Sequence, residues 1–321
     1  MNWFKSLLLT VVGVVLLWLA LRNLPLQELG TQLKHANYWL IIPVFLVTLF
    51  VYYIRIKRWQ LLYKSLHFNV PFKAAWISLC AGYLVSYVVP RGGEITRCLL
   101  VKRYKGVPFN QSLATVIIER VTDTVCLLLL LLGILIFNIQ ETASFFHTNI
   151  ILPLSDRLNM KSMLLIGLLG FMMLGGVYFY ISKKAKDDAW ATSFVHALKR
   201  LLLLDQKGYY ALYTLIIWIG YFLMTYFWIF AFKDSSLLTF SQVFVVMVIG
   251  SIGKSVPIQG GGMGAYHYLV AQAFFMFGVG LVTGNALAII IHGAQTIYTL
   301  ITGSTAYLMV IYDEKDRNLL S

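Results

Sequence analysis

The chain has 321 residues, of which 59% are hydrophobic and 12% are charged, and its mean hydropathy is +0.76. This composition excludes an ordinary soluble domain and predicts an integral membrane protein. The formal net charge is +13, but the basic residues lie in clusters beside apolar runs. That is the positive-inside pattern of membrane proteins, so nucleic acid is not an expected partner.

Nine apolar runs follow one another along the chain. A full span needs about 20 apolar residues, so some runs can cross a membrane and others are too short. Residues 7–20 resemble the apolar part of a signal peptide, but the following LRNLP is a poor cleavage site, so the first run is predicted to be a retained helix. The runs lie at 4–21, 39–56, 74–90, 113–137, 162–182, 209–232, 240–256, 263–280 and 285–311.

Two of the short runs end at matching breaks. Residues 89–94 read VPRGGE, and residues 256–262 read VPIQGGG. Proline removes a backbone donor and glycine loosens a helix, so neither run continues as one straight helix. At membrane depth such breaks persist only inside protein or along a wet cavity. Paired interruptions in the two halves of a chain indicate the binding site of a transporter.

The positive-inside rule decides the topology. The basic segments 55–73 and 91–105 flank the run 74–90, so a full crossing there would place them on opposite sides of the membrane. The conflict disappears if residues 74–105 form a re-entrant hairpin that enters from the cytoplasm, and residues 240–280 form a second hairpin that enters from outside. The predicted fold is therefore an all-α polytopic bundle of six full spans and two re-entrant helical hairpins, multi-pass in the cell inner membrane with both termini cytoplasmic.

The two halves of the chain resemble each other. Residues 110–117 (NQSLATVI) are similar to residues 284–291 (GNALAIII), and both breaks begin with Val-Pro. Each half would hold three full spans and one hairpin. Because three is odd, the second half is predicted to be inserted upside down, as an inverted-topology repeat. The predicted division is a first repeat at 1–138, an external loop at 139–161 and a second repeat at 162–321, which contains a cytoplasmic amphipathic segment at 183–208.

The densest group of ionisable residues lies at the first break and early in the next span. Such groups are costly in apolar surroundings, so they face a cavity or pair with each other. In one interpretation they form internal ion pairs, since residues three apart share a helix face. In the other, arginines hold a phosphate while the carboxylates balance the empty site, helped by a helix N-terminus after the break. These substrate-binding candidates are Arg91, Glu94, Arg97, Glu119, Arg120 and Asp123.

The second break carries a lysine and a glycine-rich loop. Glycines permit close approach of a lipid headgroup to the backbone, so Lys254, Gly260, Gly261, Gly262 and Gly264 are further substrate-binding candidates. Two histidines follow in the sequence, one shortly after the loop and one in the last span. They are candidates for proton coupling because imidazole titrates near neutrality, and the alternative is that they are hydrogen-bonded packing groups. They are His267 and His292.

Signatures of enzymes and metal sites are missing from the sequence. There is no Gly-x-Ser-x-Gly, His-Glu-x-x-His or Walker motif, and the polar segments are too short for a catalytic domain. We therefore expect no enzyme activity, no cofactor and no bound metal. The three cysteines, Cys80, Cys98 and Cys126, have no metal spacing and are interpreted as small packing residues.

Three motifs in order resemble a known family. The sequence reads PRGGExxR at 90–97, ERVxD at 119–123 and GGMG at 261–264, and it is similar to the lysylphosphatidylglycerol synthase/flippase transmembrane-domain family over nearly the whole chain. The resemblance implies a bundle with two re-entrant hairpins that moves lipids or lipid-linked sugars between leaflets. Carried over by position, it points to Glu94, Arg97, Glu119, Arg120 and Asp123.

Two positions depart from this resemblance. The family often has an acidic residue three positions after the last glycine, where this chain has His267, and an arginine in the last span, near His292. The substrate or the coupling ion is therefore expected to differ. The soluble aminoacyltransferase domain is absent from this sequence, so synthesis of lysylphosphatidylglycerol is not expected.

The sequence leads to a lipid translocase as the first hypothesis. Its substrate would be an anionic phospholipid or a polyprenyl-phosphate-linked lipid, whose headgroup passes between the two breaks. The alternative is a non-transporting partner that binds a lipid-linked intermediate and presents it to a glycosyltransferase. Expected partners are membrane lipids, a second copy of the chain, or a glycosyltransferase or synthase. A polar path between the breaks would favour translocation.

Overall fold

The computed structural model of the protein describes residues 25–89, 91–137, 189–256 and 262–319. Ten α-helices lie in these ranges and no strand occurs in them, which confirms the prediction of an all-α protein. Several predictions concern positions outside the described residues, namely the spans 4–21 and 162–182, the loop 139–161, Pro90, Pro257, Gly260 and Gly261.

The helices form two compact units. The first unit takes in the described residues up to 107 and from 206 onward, and the second those from 108 to 205. In chain order the helices are α1 Leu26–His35, α2 Ile41–Ser65, α3 Phe72–Val88, α4 Gly92–Lys105, α5 Phe109–Phe137, α6 Ala189–Leu202, α7 Lys207–Trp228, α8 Phe240–Ser255, α9 Ala265–Met276 and α10 Leu281–Leu319.

Three helical segments of the described chain are long and apolar enough to cross a membrane. They are Tyr38–Ser65, Lys207–Ala231 and Leu281–Asp313, and they contain most of the predicted spans 39–56, 209–232 and 285–311. The protein is therefore an integral membrane protein, as its composition predicted. A further predicted span, 113–137, lies within α5.

The helices α2 and α7 pack against each other in antiparallel fashion. Near the start of α2, the Thr48 hydroxyl lies 3.2 Å from the Met224 sulfur, late in α7. Near the end of α2, Arg58 Nη1 donates to Thr214 Oγ1 at 3.2 Å, early in α7. The antiparallel direction agrees with the predicted topology, in which the second and fifth spans run in opposite directions.

The first break joins two helices, α3 and α4, that pack closely together; we call this pair hairpin 1. The arms approach through glycine, because a Cβ atom placed on Gly82 would lie 2.8 Å from the Gly93 carbonyl oxygen. Arg91 precedes α4 in the left-handed backbone region, at φ 62°. That conformation is costly for any residue but glycine, so close packing of the two arms holds the chain in a sharp turn.

The second break also joins two packed helices, α8 and α9, which we call hairpin 2. The helix α8 begins with a capping box, in which the backbone N–H groups of Thr239 and Gln242 donate to each other's side-chain oxygens. Glycine again permits the close approach, since a Cβ atom on Gly253 would lie 2.8 Å from the Tyr266 Cα. Gly262, at the turn, has φ 87°, which favours glycine there.

One prediction about the basic residues is wrong. The basic segment 55–73, predicted to lie outside the membrane as a loop, is helical in its first part, because α2 continues to Ser65 and buries the side chains of Arg55 and Arg58. Burial is tolerated because the guanidinium groups have polar and aromatic partners. Arg55 donates to the Tyr221 hydroxyl at 2.7 Å and lies 5.7 Å from the ring centre of Tyr83.

In the second unit, the predicted amphipathic segment contains the helix α6. Its apolar face packs on α5 and buries Ala191, Phe194, Ala197 and Leu201. Two side chains fix its start, since Asn110 Nδ2 donates to the Trp190 carbonyl at 3.1 Å and Gln111 Nε2 donates to Ser193 Oγ at 3.2 Å. The amphipathic pattern is thus explained by packing on a neighbouring helix.

Candidate functional site

Each hairpin of the first unit covers a different half of α10. At the late end of α10, Lys73 at the start of hairpin 1 forms an ion pair with Asp313 at 3.2 Å. At the early end, a Cβ atom on Gly284 would lie 3.0 Å from the carbonyl oxygen of Ala271, in the second arm of hairpin 2. The open ends of the hairpins therefore lie at opposite ends of α10.

The tips of the two hairpins each contact α10 near its middle. The hydroxyl of Tyr87, just before the first break, shares a 3.2 Å hydrogen bond with Thr296. The ammonium group of Lys254, just before the second break, donates to Gln295 Oε1. Since Gln295 and Thr296 are consecutive, the described residues just before the two sequence breaks contact one turn of one helix.

Three aromatic rings pack beneath the tip of hairpin 2. The ring centres of His267 and His292 are 4.8 Å apart with the ring planes at 71°, and the Tyr266 ring centre lies 5.4 Å from that of His292. All three residues are buried. His267 Nδ1 accepts a 3.3 Å hydrogen bond from the Gly264 N–H, so a neutral imidazole at this position caps the start of α9.

The tip of hairpin 2 also places a cation over an aromatic ring. Lys254 Nζ lies 4.8 Å from the ring centre of Tyr266, close enough for a cation–π interaction. The residue as a whole is exposed, while its ammonium group is held between Gln295 and the Tyr266 ring, so a positive charge lies at the turn of α10 that both tips contact.

The charged residues of hairpin 1 lie in two different environments. Arg91 and Glu94 form an exposed ion pair at the tip, 3.5 Å apart. Arg97 is buried, with 3% of its surface exposed, and its guanidinium group stacks 3.9 Å from the ring centre of Trp59. The tip therefore presents exposed charge, and the arm behind it holds a buried planar cation.

Together, Arg97, Arg55 and Arg58 are three buried arginines in the first unit. Two of them, and the aromatic partner Trp59, were missed as site residues. A usable signal existed, because residues 55 and 58 are about one helical turn apart, with the first inside the end of the apolar run 39–56 and the second just beyond it. This spacing indicates that the helix continues for one more turn beyond the apolar run.

In the second unit, two of the predicted site residues pair with each other. Arg120 Nη2 lies 3.2 Å from Asp123 Oδ2, as the three-residue spacing predicted. Glu119, on the same helix, is fully buried. Among the described residues of the chain, no group of three His, Cys, Asp or Glu side chains suits a metal ion.

Comparison with known proteins identifies the family. The family described as "Lysylphosphatidylglycerol synthase TM region" matches residues 4–303. The chain belongs to this family. The match confirms the resemblance seen in the three sequence motifs.

A curated relative gives a weaker match. The UPF0104 membrane protein MJ1595 of Methanocaldococcus jannaschii is 24% identical over 123 residues. The aligned part is 37% of this chain and 37% of that protein, so the chain spans little more than a third of the relative's length. No solved structure matches the chain significantly.

The three sequence motifs lie in three different elements of the fold. The described part of the PRGGExxR motif, Arg91 to Arg97, lies at the tip and in the second arm of hairpin 1, and the described part of the GGMG motif, Gly262 to Gly264, forms the turn into α9. The ERVxD motif lies in α5 of the second unit. In the first unit, two of the three motifs therefore lie at the hairpin tips.

Proposed function

We propose that this protein is a flippase-like lipid translocase of the cell inner membrane. It would move an anionic phospholipid or a polyprenyl-phosphate-linked lipid between the leaflets. The observation that carries the proposal is that both hairpin tips contact consecutive residues of α10, Gln295 and Thr296. In transporters with inverted repeats, substrate sites lie where discontinuous helices meet near the bilayer midplane.

The position of the tips supports a re-entrant arrangement. The segment Leu281–Asp313 has the length and composition of a span, and residues 295 and 296 lie at its centre. If α10 crosses the bilayer, the hairpins enter from opposite sides and end near the midplane. Non-helical backbone is tolerated at that depth inside protein or beside a wet cavity, which fits a site that opens alternately to each side.

The charges support an anionic headgroup. At the tips, Lys254 and Arg91 are exposed cations, and behind the first tip lies the buried guanidinium of Arg97. Arginine binds phosphate oxygens through its planar fork, and lysine binds them as a point charge. A phosphate-bearing headgroup could therefore be passed from one cation to the next.

The outer surface of hairpin 1 suits acyl chains. Val88, Ile95 and Leu99 are more than half exposed, and such apolar side chains are favourable against lipid. We infer that the tails of the substrate stay in the bilayer beside this surface while the headgroup crosses between the tips.

The test is lipid transfer in liposomes. A fluorescent phosphatidylglycerol, quenched from outside by dithionite, reports movement from the inner leaflet. We expect the wild-type protein to accelerate that movement, and Lys254→Ala to slow it by about tenfold, the effect of losing roughly 1.4 kcal/mol of anion binding. Lys207→Ala removes an exposed lysine from the start of α7 and serves as the matched control, with wild-type transfer expected.

The same assay separates the two hypotheses. A partner that only presents a lipid-linked intermediate would bind phosphatidylglycerol without moving it. Binding with no acceleration over protein-free liposomes would therefore overturn the proposed translocation.

Of the two interpretations of His267 and His292, proton coupling and packing, we propose packing, because both side chains are buried and His267 caps a helix. The Gly264 N–H bond requires an acceptor at His267 Nδ1, and a glutamine oxygen can supply one. We expect the double variant His267→Gln, His292→Gln to keep the wild-type pH dependence of transfer between about pH 5 and 8, where imidazole normally titrates. A flattened pH profile in that variant would show instead that the histidines couple transfer to protons.

A further inference from the structure

A cavity of about 300 Å³ lies at the open end of hairpin 1, away from the tips. Its rim carries Lys73 from the first turn of α3, Tyr104 and Lys105 from the last turn of α4, and Asp313 from α10. Its volume is at the lower limit of the usual range for ligand pockets. The cavity is therefore large enough for a small polar group.

The lining of this cavity is amphipathic. Ala74 and Ile77, both buried, add apolar surface to a lining that also carries charged side chains. A phospholipid headgroup with the start of its glycerol backbone has the same division into a charged and an apolar part. Basic pockets between membrane helices on the cytoplasmic side are typical binding sites of anionic lipid headgroups.

The two lysines give the cavity a net positive charge. Because the arms of hairpin 1 are antiparallel, the N-terminus of α3 and the C-terminus of α4 lie side by side, and their helix dipoles oppose each other. The rim then carries two ammonium groups against one carboxylate. Asp313 pairs with Lys73, and within the described residues no carboxylate pairs with Lys105.

We propose that this cavity binds a phosphate group, held between Lys73 and Lys105. The phosphate would come from the headgroup of an anionic phospholipid or from a soluble phosphate. The bound anion competes with Asp313 for Lys73, so it acts on the contact that ties the base of hairpin 1 to α10. The site is distinct from the hairpin tips, and its occupancy does not depend on lipid transfer.

Three variants of the full chain test the site by native mass spectrometry in a neutral detergent. Added phosphatidylglycerol is compared with phosphatidylcholine of the same acyl chains. We expect the double variant Lys73→Gln, Lys105→Gln to weaken phosphatidylglycerol binding by about tenfold, because each lysine beside an anionic lipid adds to the binding free energy. Asp313→Asn should strengthen it, because the competing carboxylate is removed. A general loss of structure could not produce that increase.

The matched control is Lys64→Gln with Lys207→Gln, which removes the same charge from two exposed positions outside the cavity. Added inorganic phosphate distinguishes the sources. If it displaces phosphatidylglycerol from the wild type, the site takes soluble phosphate as well; if it does not, the site is for lipid. Equal phosphatidylglycerol binding by the wild type and the Lys73, Lys105 variant would overturn the proposal, as would an equal loss in the control.

Discussion

Replacing Arg97 with alanine should abolish lipid transfer and weaken the fold. The Arg97 guanidinium is buried against Trp59 at 3.9 Å from the ring centre, and a desolvated cation–π contact of this kind contributes about 2 kcal/mol. Arg97→Lys keeps the charge but loses the planar group. We therefore expect its unfolding temperature to lie between those of the wild type and Arg97→Ala, and its lipid transfer to be slow. The measurements are thermal unfolding of the purified protein and the liposome transfer assay.

A control for Arg97 lies on the same helix. Lys102 is exposed near the end of α4, so Lys102→Ala should leave both unfolding temperature and transfer unchanged. Full transfer by a folded Arg97→Ala variant would show that this cation does not handle the headgroup.

The second large effect is expected at the glycine contact of hairpin 1. A Cβ atom on Gly93 would collide with the backbone carbonyl of Gly82 and with the Ser86 hydroxyl. Because one obstacle is backbone, the arms of the hairpin must separate. Overpacking in a tight contact costs typically about 1–3 kcal/mol or more, so we expect Gly93→Ala to lower the unfolding temperature and to stop transfer.

Gly293→Ala is the matched control for this substitution. Gly293 lies inside α10 with no heavy atom within 4 Å of its would-be Cβ, and alanine is the better helix former by up to about 1 kcal/mol. This variant should be as stable as the wild type or more so. If Gly93→Ala were equally stable, the close approach of the two arms would not be needed for the fold.

The local features of the fold were predictable because they depend on local chemistry. Proline and glycine interrupt a helix wherever they occur, so the breaks and the two helical hairpins could be read from residues 89–94 and 256–262. The ion pair of Arg120 with Asp123 follows from helical spacing in the same way.

The burial of cations was not predictable by the same means. Arg55 and Arg58 lie at the end of an apolar run, and the positive-inside rule assigns such residues to a loop. Their burial depends on Tyr221 and Thr214, which are more than 150 residues away in the chain. A residue's local sequence does not contain such tertiary partners.

The turn of α10 that both tips contact also depends on tertiary structure. Nothing in the sequence marks Gln295 and Thr296 within a long apolar helix. They matter because each hairpin covers one half of α10, and this is decided by close packing at Gly303, beside Leu84, and at Gly284. The sequence indicated that two breaks exist, and the structure shows which turn of α10 they share.

The most direct test of the account is to block the turn of α10 that both tips contact. Thr296→Cys and Ile297→Cys place a thiol on adjacent residues of α10, the first facing Tyr87 and the second 48% exposed on the surface of the protein. Cys126→Ser provides the background, since Cys80 and Cys98 are buried. Each variant is reacted with a bulky methanethiosulfonate reagent and reconstituted for the liposome transfer assay.

The account predicts that modification of Thr296→Cys stops phosphatidylglycerol transfer, that a reducing agent restores it, and that modified Ile297→Cys transfers at the wild-type rate. Undiminished transfer by fully modified Thr296→Cys would contradict the claim that the headgroup crosses between the hairpin tips.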